Sequence, residues 1–312
     1  MARMDHHVFA IWGPPCSGKT TLAVNMATVL ATSNYMTCLI SASDHGELQS
    51  FFGTTIPKNK GLYSAITSGR HVRESLVEAM PNLFLLEADT SGDAYDLAEI
   101  RAEQVKNMIA DLREQFPYVI IDCTSFKESV ITGMGLGGPV SADKVVICLP
   151  HRVSASMWVT ANRRMIEAIA QKVLYVDVDT RAGGCSMEQL LTSIGLAEPQ
   201  IKFGCVDVAY ECENTSHPIV MKGGRAERKY KKALLDLLKI LLDIEGAEKK
   251  TKEKVKQGQR VPSNHKMSAE ERFNKASGIN YQGTSQRAAR KAEEDAIRQQ
   301  QADANAEYDS QM

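Results

Sequence analysis

Residues 8–27 read Val8-Phe9-Ala10-Ile11-Trp12-Gly13-Pro14-Pro15-Cys16-Ser17-Gly18-Lys19-Thr20-Thr21-Leu22-Ala23-Val24-Asn25-Met26-Ala27. Five apolar residues lead into a turn of Gly, Pro and Ser, and a run suited to a helix leads out. The turn satisfies GxxxxGK[ST] at each fixed position, through Gly13, Gly18, Lys19 and Thr20. A strand before it and a helix after it are the context in which that pattern is a phosphate loop. Gly13 and Gly18 let backbone N–H groups close around phosphate oxygens, and the helix N-terminus adds partial positive charge. The residues placed around a nucleotide's phosphates are Gly13, Pro14, Pro15, Cys16, Ser17, Gly18, Lys19, Thr20 and Thr21. Lys19 reaches the β- and γ-phosphates, and the Thr20 hydroxyl ligates Mg²⁺. The competing reading is a Gly-rich turn before an ordinary helix. It gives way because strand, loop, Lys-Thr pair and helix all agree.

Outward from this loop, strand and helix patterns alternate as far as residue 244. Strands are expected at 7–12, 37–42, 83–87, 118–122, 144–149, 173–177 and 203–208. Helices are expected at 19–32, 46–52, 61–67, 71–79, 95–115, 153–171, 186–195 and 225–244. The runs Val119-Ile120-Ile121 and Val145-Val146-Ile147-Cys148-Leu149 are apolar on both faces, as in strands buried within a parallel sheet. Residues 1–245 therefore read as one α/β domain, a doubly wound and mostly parallel sheet flanked by helices. After Ile244 large apolar residues become scarce, and Glu248 to Arg260 is dominated by lysine. Residues 246–312 read as a charged tail, disordered or weakly helical.

The chain of 312 residues balances 37 basic against 38 acidic side chains, so as a whole it is not built to bind a polyanion. No run reaches the roughly 18 consecutive apolar residues of a membrane span. Met1 to His7 leads straight into the first strand and leaves no room for a signal peptide, so a cytoplasmic location is expected. The seven cysteines are odd in number and form no CxxC pair, which fits reduced thiols. His6 and His7 have no further ligand nearby and read as surface residues, while Trp12, among apolar neighbours, reads as core.

A phosphate loop needs an acid at the end of a neighbouring strand, held through water to Mg²⁺. Phe116-Pro117-Tyr118-Val119-Ile120-Ile121-Asp122 supplies it in the Walker B form. The alternative for Asp122 is a turn or helix-cap residue. Lys19 and Asp122 are thus the leading catalytic candidates, with Thr20 and Asp122 at the metal.

The segment Leu39-Ile40-Ser41-Ala42-Ser43-Asp44-His45-Gly46-Glu47-Leu48, then Phe51-Phe52-Gly53, then Gly61-Leu62-Tyr63-Ser64-Ala65-Ile66, resembles switch I of the MinD/ParA family of ATPases. The family pattern there is apolar-Asp-Ala-Asp-Pro-Gln-Gly-Asn-Leu, then Leu-Gly, then a short Gly-Leu-x-x-Leu helix. The doubled Thr20-Thr21, the Tyr118 to Asp122 strand, and Glu213-Asn214-Thr215-Ser216-His217-Pro218-Ile219 before a Leu-rich terminal helix are similar to the same family. The resemblance covers about residues 6–244. It implies ATP and Mg²⁺ as cofactors and a homodimer formed around nucleotide.

Four features depart from the family pattern. The family's cross-dimer lysine falls on Pro14. Its two switch I acids fall on Ser41 and Ser43, and serine is no carboxylate base. Asp44, one residue off, is the remaining acid and a third catalytic candidate. Asp122 is followed by Cys123-Thr124-Ser125 in place of Thr/Ser-Pro-Pro/Ala. The family's adenine-contacting Asn falls on Val176 or Asp177. These departures resemble the pilus-associated TadZ/CpaE subgroup, which implies a localisation or assembly factor for a Flp-type pilus or secretion machine, positioned peripherally or at a pole.

Other readings stay open. A partition ATPase would use Arg163, Arg164, Arg225, Arg228, Lys229, Lys231 and Lys232 on DNA phosphates. A non-hydrolysing scaffold is consistent with Ser41 and Ser43. A small-molecule kinase would need an arginine-rich lid, and none is evident. A membrane surface could take the Lys231–Leu242 helix, but its dense leucines suit the final core helix better.

Overall fold

Side-chain alternation along the strands sets the architecture. In β1 (His7–Trp12), Val8, Ala10 and Trp12 enter one apolar layer, and Phe9 and Ile11 enter the other. The same period of two runs through the central strands, so the sheet is buried on both faces and needs helices on both. The computed structural model describes residues 6–41, 47–69, 71–88, 102–125, 138–178, 186–193 and 217–243, with scattered residues between 195 and 215. The expected tail at 246–312 lies outside the described residues, as do Ser43 and Asp44.

Among the described residues the sheet has eight strands: β1, β2 (Thr37–Ser41), β3 (Val77–Met80), β4 (Leu83–Leu86), β5 (Tyr118–Asp122), β6 (Lys144–Pro150), β7 (Val173–Val178) and β8 (Ile201–Lys202). Their order is β3-β4-β2-β5-β1-β6-β7-β8, and every pairing is parallel except β3 with β4. One apolar layer takes Leu62 of α3 (Gly61–Thr67), Met108 and Leu112 of α4 (Ala102–Gln115), and Val159 and Ile166 of α5 (Val153–Ala168). The other takes α1 (Lys19–Thr32), Leu48 and Phe51 of α2 (Glu47–Phe52), and four leucines of the last helix, Arg225–Leu241. A further short helix, α6 (Met187–Ser193), precedes that last helix, α7. The leucines of α7 (Leu234, Leu237, Leu238 and Leu241) are buried against the sheet, so this helix is core.

The α/β architecture is as expected, with one element corrected. Residues 71–79 read as a helix in the sequence because Val72 and Leu76 fall on one helical face. Both are buried, but the helical part is a single 3-10 turn, Val72–Ser75, and the chain then forms β3. Pro81 disfavours helix at the residue before it, and Asn82 takes a left-handed φ of 67°. Together they reverse the chain into β4, which makes β3 an antiparallel edge strand. A short strand is found at Ile201–Lys202, just before the one expected at 203–208, whose residues 204–207 lie outside the described set.

Helix α1 is buried from Thr21 to Ala31 and lies in the fold's interior. Its Asn25 Nδ2 donates to Thr21 O at 2.7 Å, and its Oδ1 accepts from Val220 N at 3.0 Å. That amide ties the helix after the phosphate loop to the turn before α7. The parallel strands β1, β2 and β5 end side by side, with Ile11 and Ser41 both in register with Asp122. In open sheets of this kind the crevice beyond the carboxyl ends of the strands is where ligands bind.

Candidate functional site

The loop between β1 and α1 has the backbone that its glycines allow. Gly13 has φ 149° and Gly18 has φ 71°. A Cβ on Gly13 would lie 2.5 Å from the Cys148 carbonyl oxygen on β6, so loop and sheet approach too closely for any side chain there. Cys16 takes φ 53° without being glycine and is exposed beside Pro15, while Pro14 and Ser17 are buried. The Ser17 hydroxyl is buried with no hydrogen-bond partner. An unsatisfied hydroxyl inside a ring of amides is a fitting donor for an anion's oxygen.

Lys19 and Thr20, in the first turn of α1, reach across to β5 and to the residues just after it. Lys19 Nζ donates to Pro14 O at 3.0 Å and to Ser125 Oγ at 2.7 Å. Thr20 Oγ1 lies 2.7 Å from Asp122 Oδ2 and 3.2 Å from Glu47 Oε2. The structure therefore joins Lys19, Thr20 and Asp122 as the sequence required. Asp122 is the last residue of β5, and its carboxylate lies beside the first turn of α1. Burial pushes its carboxyl up to about 6; Lys19 and the Thr20 bond oppose the rise, and Glu47 adds to it. Asp122 Oδ1 is buried with no hydrogen-bond partner. A hydroxyl and a carboxylate with a spare oxygen are the hard donors that Mg²⁺ prefers, so these residues fit the ion.

Several departures from the family pattern fall among the described residues. Pro14, where the resemblance expects a lysine, contributes the carbonyl that receives Lys19. Ser41 is buried at the end of β2 beside Asp122. Asp177 is buried on β7 with His151 Nε2 at 3.3 Å and Lys202 Nζ at 3.9 Å. Burial raises its carboxyl, and His151 opposes the rise. His6 Nδ1 lies 3.0 Å from Phe116 O, at the opposite ends of the strands from the loop. Among the described residues there is no metal-binding cluster of three or more His, Cys, Asp or Glu.

Four residues at or around the site carried no role in the sequence reading. Ser125 accepts from Lys19, and its position three residues after Asp122 is the only hint in the sequence. Trp158, on α5, donates from Nε1 to Ser125 O at 2.9 Å, while Trp12 donates to Thr124 O at 3.2 Å. The two indoles meet edge-to-face at 4.8 Å, so a tryptophan pair holds the backbone after Asp122. Glu47 begins α2 within the stretch that resembles switch I. Glu87, just past β4, holds that helix: Leu48 N donates to Oε1 at 2.8 Å and Gln49 N to Oε2 at 3.1 Å.

Glu87 is fully buried, and burial raises its carboxyl from 4.5 to about 7 against the pull of those two N–H groups. A raised carboxyl favours the folded state while protonated. Its contribution is complete below about pH 4.5 and is lost as pH climbs to about 7. Urea unfolding of the wild type and Glu87→Gln at pH 5 and pH 7.5 checks this. Relative to the glutamine variant, the wild type loses about 2–3 kcal/mol across that interval. A constant difference contradicts the assignment.

Comparison with known proteins agrees with the geometry. The AAA domain family matches residues 16–173, half of the chain. The septum site-determining protein MinD of Bacillus subtilis is 31% identical over 142 residues, covering 44% of this chain and 50% of that protein. The chromosome-partitioning ATPase Soj of Treponema pallidum is 27% identical over 138 residues, covering 42% of this chain and 52% of that one. The chain thus matches about half the length of these relatives. The solved MinD of Pyrococcus horikoshii, complexed with Mg-ADP, superposes with a TM-score of 0.61 at 13% identity, over 78% of this chain and 97% of that one. At that identity the likeness speaks for the fold alone. With the phosphate loop, the strand-end acid, the parallel sheet and the family match in agreement, the chain belongs to the MinD/ParA family of phosphate-loop ATPases.

Proposed function

We propose that this chain is an ATP-binding, slowly hydrolysing switch that positions or assembles a Flp-type pilus or secretion machine in the cytoplasm, peripherally or at a pole. One observation carries the nucleotide part: Lys19, Thr20 and Asp122, from two separate elements, converge at the carboxyl edge of the sheet. Loop amides and the Ser17 hydroxyl would take phosphate oxygens, and Lys19 would exchange Pro14 O and Ser125 Oγ for them. Thr20, with Asp122 through water, would hold Mg²⁺. When bound, this ion offsets the charge of the phosphates. The pilus assignment rests on family analogy with the altered loop and switch.

Slow turnover is expected from Ser43, which takes the place of the switch I acid that helps hold the attacking water in the family pattern, because serine is no carboxylate base. The switch rests on Ser125. Drawing Lys19 onto phosphate releases the Ser125 hydroxyl while the tryptophan pair keeps its backbone, a local change of the kind that can be passed on to a dimer face. A second reading has its own observation. Arg225, Arg228, Lys229, Lys231 and Lys232 are all exposed at the start of α7, and such a stripe suits the DNA backbone of a partition ATPase.

Sedimentation with ATP and with ADP, together with phosphate release with and without DNA and lipid vesicles, tests both readings. The expected result is an ATP-dependent dimer that reverts with ADP, with slow release unaffected by DNA. DNA-stimulated release favours the partition reading. Rapid transfer to a small acceptor, or no response to nucleotide, overturns the proposal. Among the described residues no helix is long and apolar enough to cross a membrane.

A further inference from the structure

Two carboxylates approach one hydroxyl beside the phosphate loop. Thr20 Oγ1 lies 2.7 Å from Asp122 Oδ2 and 3.2 Å from Glu47 Oε2. A hydroxyl carries a single hydrogen, so it donates to one of these acids at a time. Asp122 is 5% exposed, and its other oxygen has no hydrogen-bond partner. The neighbouring cation, Lys19, directs its ammonium to Pro14 O and Ser125 Oγ. Oxygen acceptors therefore outnumber the donors around Thr20, and one of them is both buried and unpartnered. Such a set is completed by a cation.

Glu47 is also held in place. It opens α2, whose next two N–H groups are fixed by Glu87 at 2.8 and 3.1 Å. Gln49 adds two further ties, donating to Ala88 O at 3.2 Å and accepting from Ile56 N at 2.8 Å. An acid on a helix pinned this way approaches Thr20 from a fixed backbone. We propose that Glu47 is a third protein group of the Mg²⁺ site, acting with Thr20 and Asp122. The assignment rests on the nucleotide-binding reading above. Mg²⁺ takes one or two carboxylates together with phosphate oxygens and water, and this composition matches. In this chain the second acid of the site thus comes from the start of α2, with serine at the end of β2.

The consequence has opposite signs with and without metal. With a divalent cation present, the Glu47 charge holds it. Without one, the same charge repels the nucleotide's phosphates. The test uses the full-length chain, its Glu47→Gln variant and Asp122→Asn as reference. Mn²⁺ binding is followed by its electron paramagnetic resonance signal with ADP at saturation, and metal-free ADP binding is measured by calorimetry in chelator. Glu47→Gln is expected to weaken Mn²⁺ binding by about tenfold to a hundredfold, while binding metal-free ADP at least as tightly as the wild type. Unchanged Mn²⁺ affinity with ADP still bound overturns the assignment and leaves the nucleotide site standing. Equal weakening of Mn²⁺ and metal-free ADP marks Glu47 as a structural support and also overturns it. A wild type that binds no ADP overturns the nucleotide reading and this assignment together. Glu47 is exposed and glutamine keeps its size, so the variant tests the charge and not the fold.

Discussion

Lys19→Ala is expected to abolish useful ATP binding, raising the dissociation constant by at least about a hundredfold while the protein stays folded. The size reflects what the ammonium does. Truncating one partner of a buried, hydrogen-bonded charge pair costs about 2–5 kcal/mol, and each 1.4 kcal/mol is a factor of ten in affinity. The fold survives because α1 is anchored by its apolar residues from Leu22 to Ala31 and by Asn25, none of which depends on the lysine. The substitution also removes the positive charge that opposes the rise of the Asp122 carboxyl, so the acid moves further up. Calorimetric titration of ATP and ADP into both proteins, with circular dichroism as the folding control, reads the result. Unchanged affinity in the variant breaks the phosphate-loop assignment and everything built on it.

Gly13→Ala is the substitution expected to cost most stability. The new methyl would sit 2.5 Å from a backbone oxygen, Cys148 O, and 3.1 Å from Ser17 Oγ. Neither the oxygen nor the strand that carries it can move freely, because β6 is paired on both sides, with β1 and with β7. The φ of 149° adds a backbone penalty that glycine avoids. Together these effects amount to about 2–4 kcal/mol. Loss of the loop's shape removes nucleotide binding as well, because its amides no longer converge. Urea unfolding without nucleotide measures the first effect, and ATP titration at low temperature measures the second. A variant as stable as the wild type would show that the loop does not rest against β6 as described.

Gly18→Ala at the other end of the loop is a useful contrast. Gly18 has a left-handed φ of 71° but nothing within 4 Å of its absent Cβ, so its requirement is conformational and not steric. Sequence could mark both glycines through the motif. Only the packed sheet distinguishes the two reasons for them.

Much of the molecule was legible from local pattern. The bounds of α1 and α3 come from their glycines and apolar spacing, and those of β5 and β6 from runs apolar on both faces. Asp122 was readable because an acid ending such a run stands at the carboxyl edge whichever strands flank it. The segment 71–79 misled because an apolar pair at helical spacing also fits one 3-10 turn, and the reversal at Pro81-Asn82 decided the outcome. Trp158 carried no signal at all. It lies 33 residues from the carbonyl it holds, and no spacing rule connects α5 to the chain after β5.

The sequence alone determined that a phosphate loop opens a helix after a buried strand, and that an acid ends another strand of the same sheet. Those facts need only short-range chemistry: glycine's free φ, the helix dipole, and apolar runs that must be buried. The tertiary structure decided which strands lie side by side, and hence that Thr20 meets both Asp122 and Glu47, that Lys19 meets Ser125, and that Ser41 faces Asp122. Those meetings depend on strand order and register, which are set by the packing of two apolar layers across the whole sheet and not by any residue's neighbours in the chain.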